Sequence, residues 1–285
     1  MYNNKQDALI LATLVADTYS LASHWVYDKE ELQSLPIDWR ELGGPSVSWH
    51  AGKKRGEFTH YGDQIKILLA YIEQNPNDFD VEKYLYYWKD TLVNMNTYID
   101  GATQETMSNL EANQTFPCGS LSHDMAAIGR VIPLLKVSKT KEAFLENAKL
   151  FVKATHDNEE VLEATHFFAS LLLAVLEGEE ISKSIALLKS NYSLKIQSYI
   201  DAGLLSKDAE TFSTLLGFGT HCGVEVGMSG VIHILSQYDD FEEALIANAR
   251  CGGDTSSRAM IIAAILIAKY DESHIPIRWQ SYIKG

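Results

Sequence analysis

Cationic side chains are scarce in this chain: 24 lysines and arginines stand against 38 aspartates and glutamates in 285 residues, for a formal net charge of −14. A surface this acidic repels nucleic-acid phosphates and anionic membranes, so neither is an expected partner. A phosphate-bearing ligand must instead find positive charge in a local cluster or in metal ions. Cysteine is also sparse. Cys118, Cys222 and Cys251 are odd in number and lack CxxC spacing, which excludes a disulfide framework and reads as small, buried, reduced thiols. The chain shows no basic start with a small-residue cleavage site. Nor does any apolar run reach the roughly 20 residues needed to span a bilayer. A cytoplasmic protein is expected.

Other absences narrow the chemistry. There is no HExxH or Cys/His spacing of a zinc motif, and no Gly-x-Ser-x-Gly elbow of a hydrolase triad. Convincing β alternation, internal repeats and linkers are missing too. Only six prolines interrupt the chain, mostly in loops. Between them runs helical periodicity, predicting helices over 9–22, 64–73, 81–95, 102–109, 125–135, 140–155, 159–177, 181–188, 192–202, 208–217, 223–236, 240–248 and 256–270. Segments 9–16 and 260–268 are apolar on every face, as suits helices in the middle of a bundle. The expectation is an all-α, single-domain, multi-helix orthogonal bundle over residues 1–285, with Tyr84, Tyr86, Tyr87 and Trp88 packing inside it.

Polar residues stand out against this background. Asp17 lies in the first apolar helix, where a carboxylate must find partners, because an unpaired buried charge costs several kcal/mol by order of magnitude. Tyr61-Gly62-Asp63-Gln64 and Gly252-Gly253-Asp254-Thr255-Ser256-Ser257-Arg258 share one form: glycine, aspartate, polar residue, helix. Each aspartate could be an N-cap. Two such helix starts could instead converge on one cavity, binding phosphate through glycines and amides or holding Mg²⁺ through carboxylates. His60 lies close enough in sequence to line the same cavity. The irregular loop 36–56 with Lys53, Lys54 and Arg55, and the glycine-rich loop 217–223, are further candidate walls. His123-Asp124 and His156-Asp157 read as capping pairs at loop–helix junctions.

These motifs, with Gly129-Arg130-Val131-Ile132-Pro133-Leu134 and Thr155-His156, resemble the ordered motifs of the ADP-ribosylglycohydrolase superfamily over nearly the whole chain. Ser23-His24-Trp25-Val26-Tyr27-Asp28 and 58–64 are most similar to a divergent branch that includes the jellyfish lens J-crystallins. The resemblance implies an all-α hydrolase cleaving an N- or O-glycosidic ribosyl bond in a small-molecule or protein-linked ADP-ribosyl substrate. Two Mg²⁺ ions sit between the aspartate motifs in active members. Carried over by position, Asp63 is the catalytic residue and, with Asp254 and Ser257, a metal ligand. Asp17, His60, Gly62, Gly252, Gly253, Ser257 and Arg258 fall at the substrate. Two family carboxylates are altered, to Gly62 and Ser256. The four become two, which neutralise half the charge of two Mg²⁺ ions, so one or two ions are implied at a depleted site, with Arg258 and the basic loop as substitute positive charge. The altered positions also raise a second possibility, a non-catalytic ADP-ribose-binding or crystallin-like structural protein.

Overall fold

The computed structural model describes residues 3–112 and 114–284. Its α-helices are α1 (Asn3–Ser20), α2 (Lys29–Ser34), α3 (His60–Gln74), α4 (Val81–Leu92), α5 (Gly101–Glu111), α6 (Ala126–Gly129), α7 (Lys141–Thr155) and α8 (Glu159–Leu176). They continue with α9 (Ile181–Lys189), α10 (Leu194–Leu205), α11 (Thr211–Phe218), α12 (Val224–Gln237), α13 (Phe241–Ala249), α14 (Thr255–Lys269) and α15 (Ile277–Lys284). Short 3-10 turns form at Ser48–His50, Ile132–Lys136 and Glu272–His274. Among the described residues there is no strand, only isolated bridges pairing Ser120 with His156 and Asp124 with Gly223. The all-α bundle expected from periodicity is the observed architecture.

Helix α14 is its axis. Every residue from Thr255 to Ala268 is buried, because α1, α6, α8, α12 and α13 surround it. Its alanines let neighbouring backbones approach, while Ile261, Ile262, Ile265, Leu266 and Ile267 fill the core; each large aliphatic side chain so buried contributes about 1.5–3 kcal/mol. Helix α1 makes the most extensive contact with α14, so the two all-apolar segments pack against each other and bring Asp17 to the start of α14. No helix among the described residues is long and apolar enough to cross a membrane.

One expected helix is divided. Residues 125–135 form α6 and then a 3-10 turn with Pro133 at its start, because proline lacks an N–H and crowds the preceding turn. Helix α2 was not anticipated. Its start is fixed by Asp28, whose carboxylate accepts from the Glu30 and Glu31 amides at 2.8 Å each.

A buried polar tie joins several helices below the site. Gln64 Oε1 accepts from Trp88 Nε1 at 3.0 Å and also from Arg130 Nη1, while Gln64 Nε2 lies 3.4 Å from Thr103 Oγ1. Gln64→Leu therefore removes the shared acceptor of an indole and a guanidinium in the interior, and should lower the unfolding free energy by about 3 kcal/mol. Urea denaturation checks this; an unchanged midpoint would show that the tie is dispensable.

Candidate functional site

The site is organised by a carboxylate. Asp17 is fully buried, and its Oδ2 accepts the Thr59 amide at 2.9 Å while Oδ1 accepts the hydroxyls of Thr59 at 2.5 Å and Ser256 at 2.6 Å. These bonds gather α1, the start of α3 and the start of α14 on one group. Burial outweighs them and pushes the Asp17 carboxyl up to about 6. Thr59, not Asp63, caps α3, taking the Tyr61 amide at 3.1 Å. Gly62 sits directly against Asp17: a Cβ there would fall 2.1 Å from Asp17 Oδ2 and 2.8 Å from Phe58 Cβ.

The second helix start is held by the backbone. Trp25 N–H donates to the Gly253 carbonyl at 2.7 Å and Gly253 N–H to the Val26 carbonyl at 2.8 Å. Trp25 takes φ 63°, unusual for a side chain this large, and Gly252 and Gly253 take φ 66° and 65°. A Cβ at Gly253 would meet the Thr220 carbonyl at 2.1 Å, so loop 217–223 does wall this region. Arg258, also buried, donates from Nε to Asn248 Oδ1 at 2.7 Å and from Nη2 to the Gly252 carbonyl at 2.8 Å. It braces the diglycine turn from inside, whereas the sequence reading offered it as substitute positive charge at the substrate. Ser257 Oγ donates to the backbone carbonyl of Asp254 at 3.1 Å.

Asp254 occupies the N-cap position of α14, yet its side chain makes no capping bond and neither carboxylate oxygen has a hydrogen-bond partner. His24 Nδ1 lies 3.5 Å from its Oδ1. Burial raises its carboxyl, against the pull of Ser257 and Arg258. Asp124, close by, is raised well above the carboxylate range by burial and then by the charge of Asp254. Its Oδ1 accepts the Ala126 amide at 2.7 Å, from the residue before Met125, which holds the N-cap position of α6.

Asp63 lies at the outer edge, its Oδ2 bound by Lys53 Nζ at 2.6 Å. Lys53 comes from the basic loop, and with Trp49, His50, Thr97 and Tyr98 it lines a cavity of about 210 Å³. Beneath that mouth His24, His50 and His60 come together: one ring nitrogen of each lies within 4.8 Å of the others. His50 Nε2 is 3.0 Å from His60 Nδ1, and His60 Nε2 is 3.3 Å from Asp100 Oδ2. Burial works to raise Asp100, but His60, the Thr103 amide and Arg130 hold its carboxyl below the usual range.

The structure thus brings Asp17, Gly62 and the α14 start into one assembly, with His60 and Asp254 fully buried and Asp63 paired with Lys53 from the basic loop. Sequence reasoning missed Asp100, Asp124, His24 and His50 as site residues. The bridge of Asp124 to Gly223, and the separation of the three histidines on different segments, left no local signal. Nor do the residues fit the magnesium pair implied by the resemblance. Mg²⁺ demands near-octahedral oxygen ligation, whereas position 62 has no side chain, Ser256 is spent on Asp17, and one Asp63 oxygen is held by an ammonium.

Two measurements test this geometry. Gly62→Ala should cost about 1–3 kcal/mol by driving a methyl into the Asp17 carboxylate, and much of that cost should vanish in an Asp17→Ala background; equal costs in both backgrounds would deny the contact. Asp17, with its folded value above the ordinary one, contributes stability most fully below about pH 4 and loses it as pH rises through about 6. Urea titrations should therefore show the wild type losing roughly 3 kcal/mol relative to Asp17→Asn between those limits. A pH-independent difference would contradict the assignment.

Comparison with known proteins accords with this architecture. The ADP-ribosylglycohydrolase family profile matches residues 2–285. Crystallin J1A of Tripedalia cystophora is 24% identical over 308 aligned positions, covering 98% of this chain and 91% of that protein. Crystallin J1B of the same animal is 23% identical with the same coverage. A solved structure described as an ADP-ribosylglycohydrolase-related protein complex superposes with a TM-score of 0.77 at 19% identity, over 96% of this chain and 90% of that one, a likeness of fold. With the family profile matched almost end to end, this chain belongs to the ADP-ribosylglycohydrolase family, a membership that supports a hydrolase-like function.

Proposed function

We propose that the protein is a ribosyl hydrolase, cleaving the N- or O-glycosidic bond between an ADP-ribosyl group and a small-molecule or protein acceptor. The observation that carries this reading is Asp254: a fully buried carboxylate with both oxygens unpartnered, at a helix start that resembles the family's C-terminal motif. A side chain left unsatisfied in the interior costs stability, and a ribose diol offers two hydroxyls to such a pair of acceptors. Asp254 therefore binds and orients the ribose. Asp124, whose carboxyl is raised by burial and by the charge of Asp254, is the group that gives a proton to the leaving acceptor. Asp63 activates the attacking water, and Asp17 acts through Thr59 and Ser256 to hold both helix starts in place. The substrate enters by the cavity of Trp49 and Tyr98, where a diphosphate can draw Lys53 away from Asp63 and free that carboxylate. Each step uses this chain's own side chains; none is routed through magnesium.

A second reading, a non-catalytic ADP-ribose-binding or structural protein, is favoured by one observation: Lys53 neutralises the acid assigned to water activation. Incubation with ADP-ribosyl-arginine, ADP-ribosyl-serine and O-acetyl-ADP-ribose, with and without Mg²⁺, separates the two. Turnover of at least one substrate is expected, with kcat/KM reduced about 100-fold or more in Asp254→Asn and in Asp63→Asn. Absence of turnover with every substrate would leave the second reading.

A further inference from the structure

The histidine cluster is not accounted for by that chemistry. His24 follows α1, His50 ends the 3-10 turn in the basic loop, and His60 opens α3. All three are buried, with ring centroids 5.2, 5.3 and 5.9 Å apart. The approach of His50 Nε2 to His60 Nδ1, 3.0 Å, is close to the roughly 3.3 Å between ligand atoms of a tetrahedral ion with metal–nitrogen bonds of about 2.0–2.1 Å. On the far side of His60, Nε2 lies 3.3 Å from Asp100 Oδ2, a placement by which a carboxylate orients a metal-bound imidazole. His24 Nδ1 accepts the Ser256 amide at 3.4 Å, which fixes that ring. Nε2 of His24 and Nδ1 of His50 are buried with no hydrogen-bond partner.

We propose that His24, His50 and His60 form a binding site for one nitrogen-preferring divalent transition metal of the zinc class, distinct from the oxygen-ligated magnesium centre that this chain has lost. Nitrogen ligands favour zinc and cobalt over magnesium. The carboxyl groups of Asp100 and Asp254 stand beside the cluster. His50 also lines the 210 Å³ cavity, which gives the ion a way in and leaves a fourth coordination position on the side where a ligand enters. The three imidazoles take no part in the bond cleavage proposed above, and Asp254 borders both sites.

Purified full-length protein, stripped with chelator and titrated with Co²⁺, tests this directly. The expected result is one equivalent of Co²⁺ per chain with the visible ligand-field spectrum of a four- or five-coordinate nitrogen site, displaced by one equivalent of Zn²⁺ and not by excess Mg²⁺. His50→Ala, on a loop turn rather than in a core helix, should weaken Co²⁺ binding about 100-fold or more with an unchanged circular dichroism spectrum, and Asp100→Asn by about 10–100-fold. Asp63→Asn should leave the spectrum intact. The proposal is overturned if the folded wild type takes up neither Co²⁺ nor Zn²⁺, or if His50→Ala binds Co²⁺ as tightly and with the same spectrum.

Discussion

A carboxylate with no access to water has few ways to exist inside a helical core, and the one found at Asp17 shapes everything near it. Its acceptors are filled by one amide and two hydroxyls from segments far apart in the chain, Thr59 and Ser256. Because hydrogen bonds to a charged group contribute about 1.5–3 kcal/mol each, this junction fixes where α3 and α14 begin relative to α1. The placement of Asp63 one turn into α3 and of Asp254 at the tip of α14 follows from it.

Around that junction the polar groups divide into two kinds. Some are spent on the chain itself: Arg258 on Asn248 and Gly252, Gln64 between Trp88 and Arg130, Ser257 on a backbone carbonyl. Others have no such occupation: both oxygens of Asp254, Nε2 of His24, the hydroxyl of Tyr61 and Nε1 of Trp25. Beside them Trp25 N–H binds the Gly253 carbonyl and Gly253 N–H binds the Val26 carbonyl. Unsatisfied atoms next to a firmly held turn are the combination that preorganised binding sites require.

Much of this was legible in sequence, for reasons that particular residues make clear. The all-α fold could be read because α1 and α14 are apolar around their whole circumference, and only the middle of a bundle accepts such helices. Asp17 announced itself by contrast with Leu14, Val15 and Ala16. Asp63 and Asp254 did so through the glycines before them. What escaped was set by tertiary placement. His24, His50 and His60 belong to a turn, a loop and a helix start, so no ligand spacing relates them. Arg258 reads equally well as a ligand-gripping or a bracing residue until Asn248 and Gly252 are seen to occupy it. The break at Pro133 was visible in principle, and periodicity alone concealed it.

The contact between Gly62 and Asp17 also limits which substitutions this chain can accept. With the carboxylate seated where a β-carbon would go, position 62 takes no larger side chain without disturbing the junction that holds both helix starts, and Ser256 is tied to the same carboxylate. Positions 17, 62 and 256, remote from one another in the chain, therefore behave as one unit, and a change at any of them has to be matched at the other two.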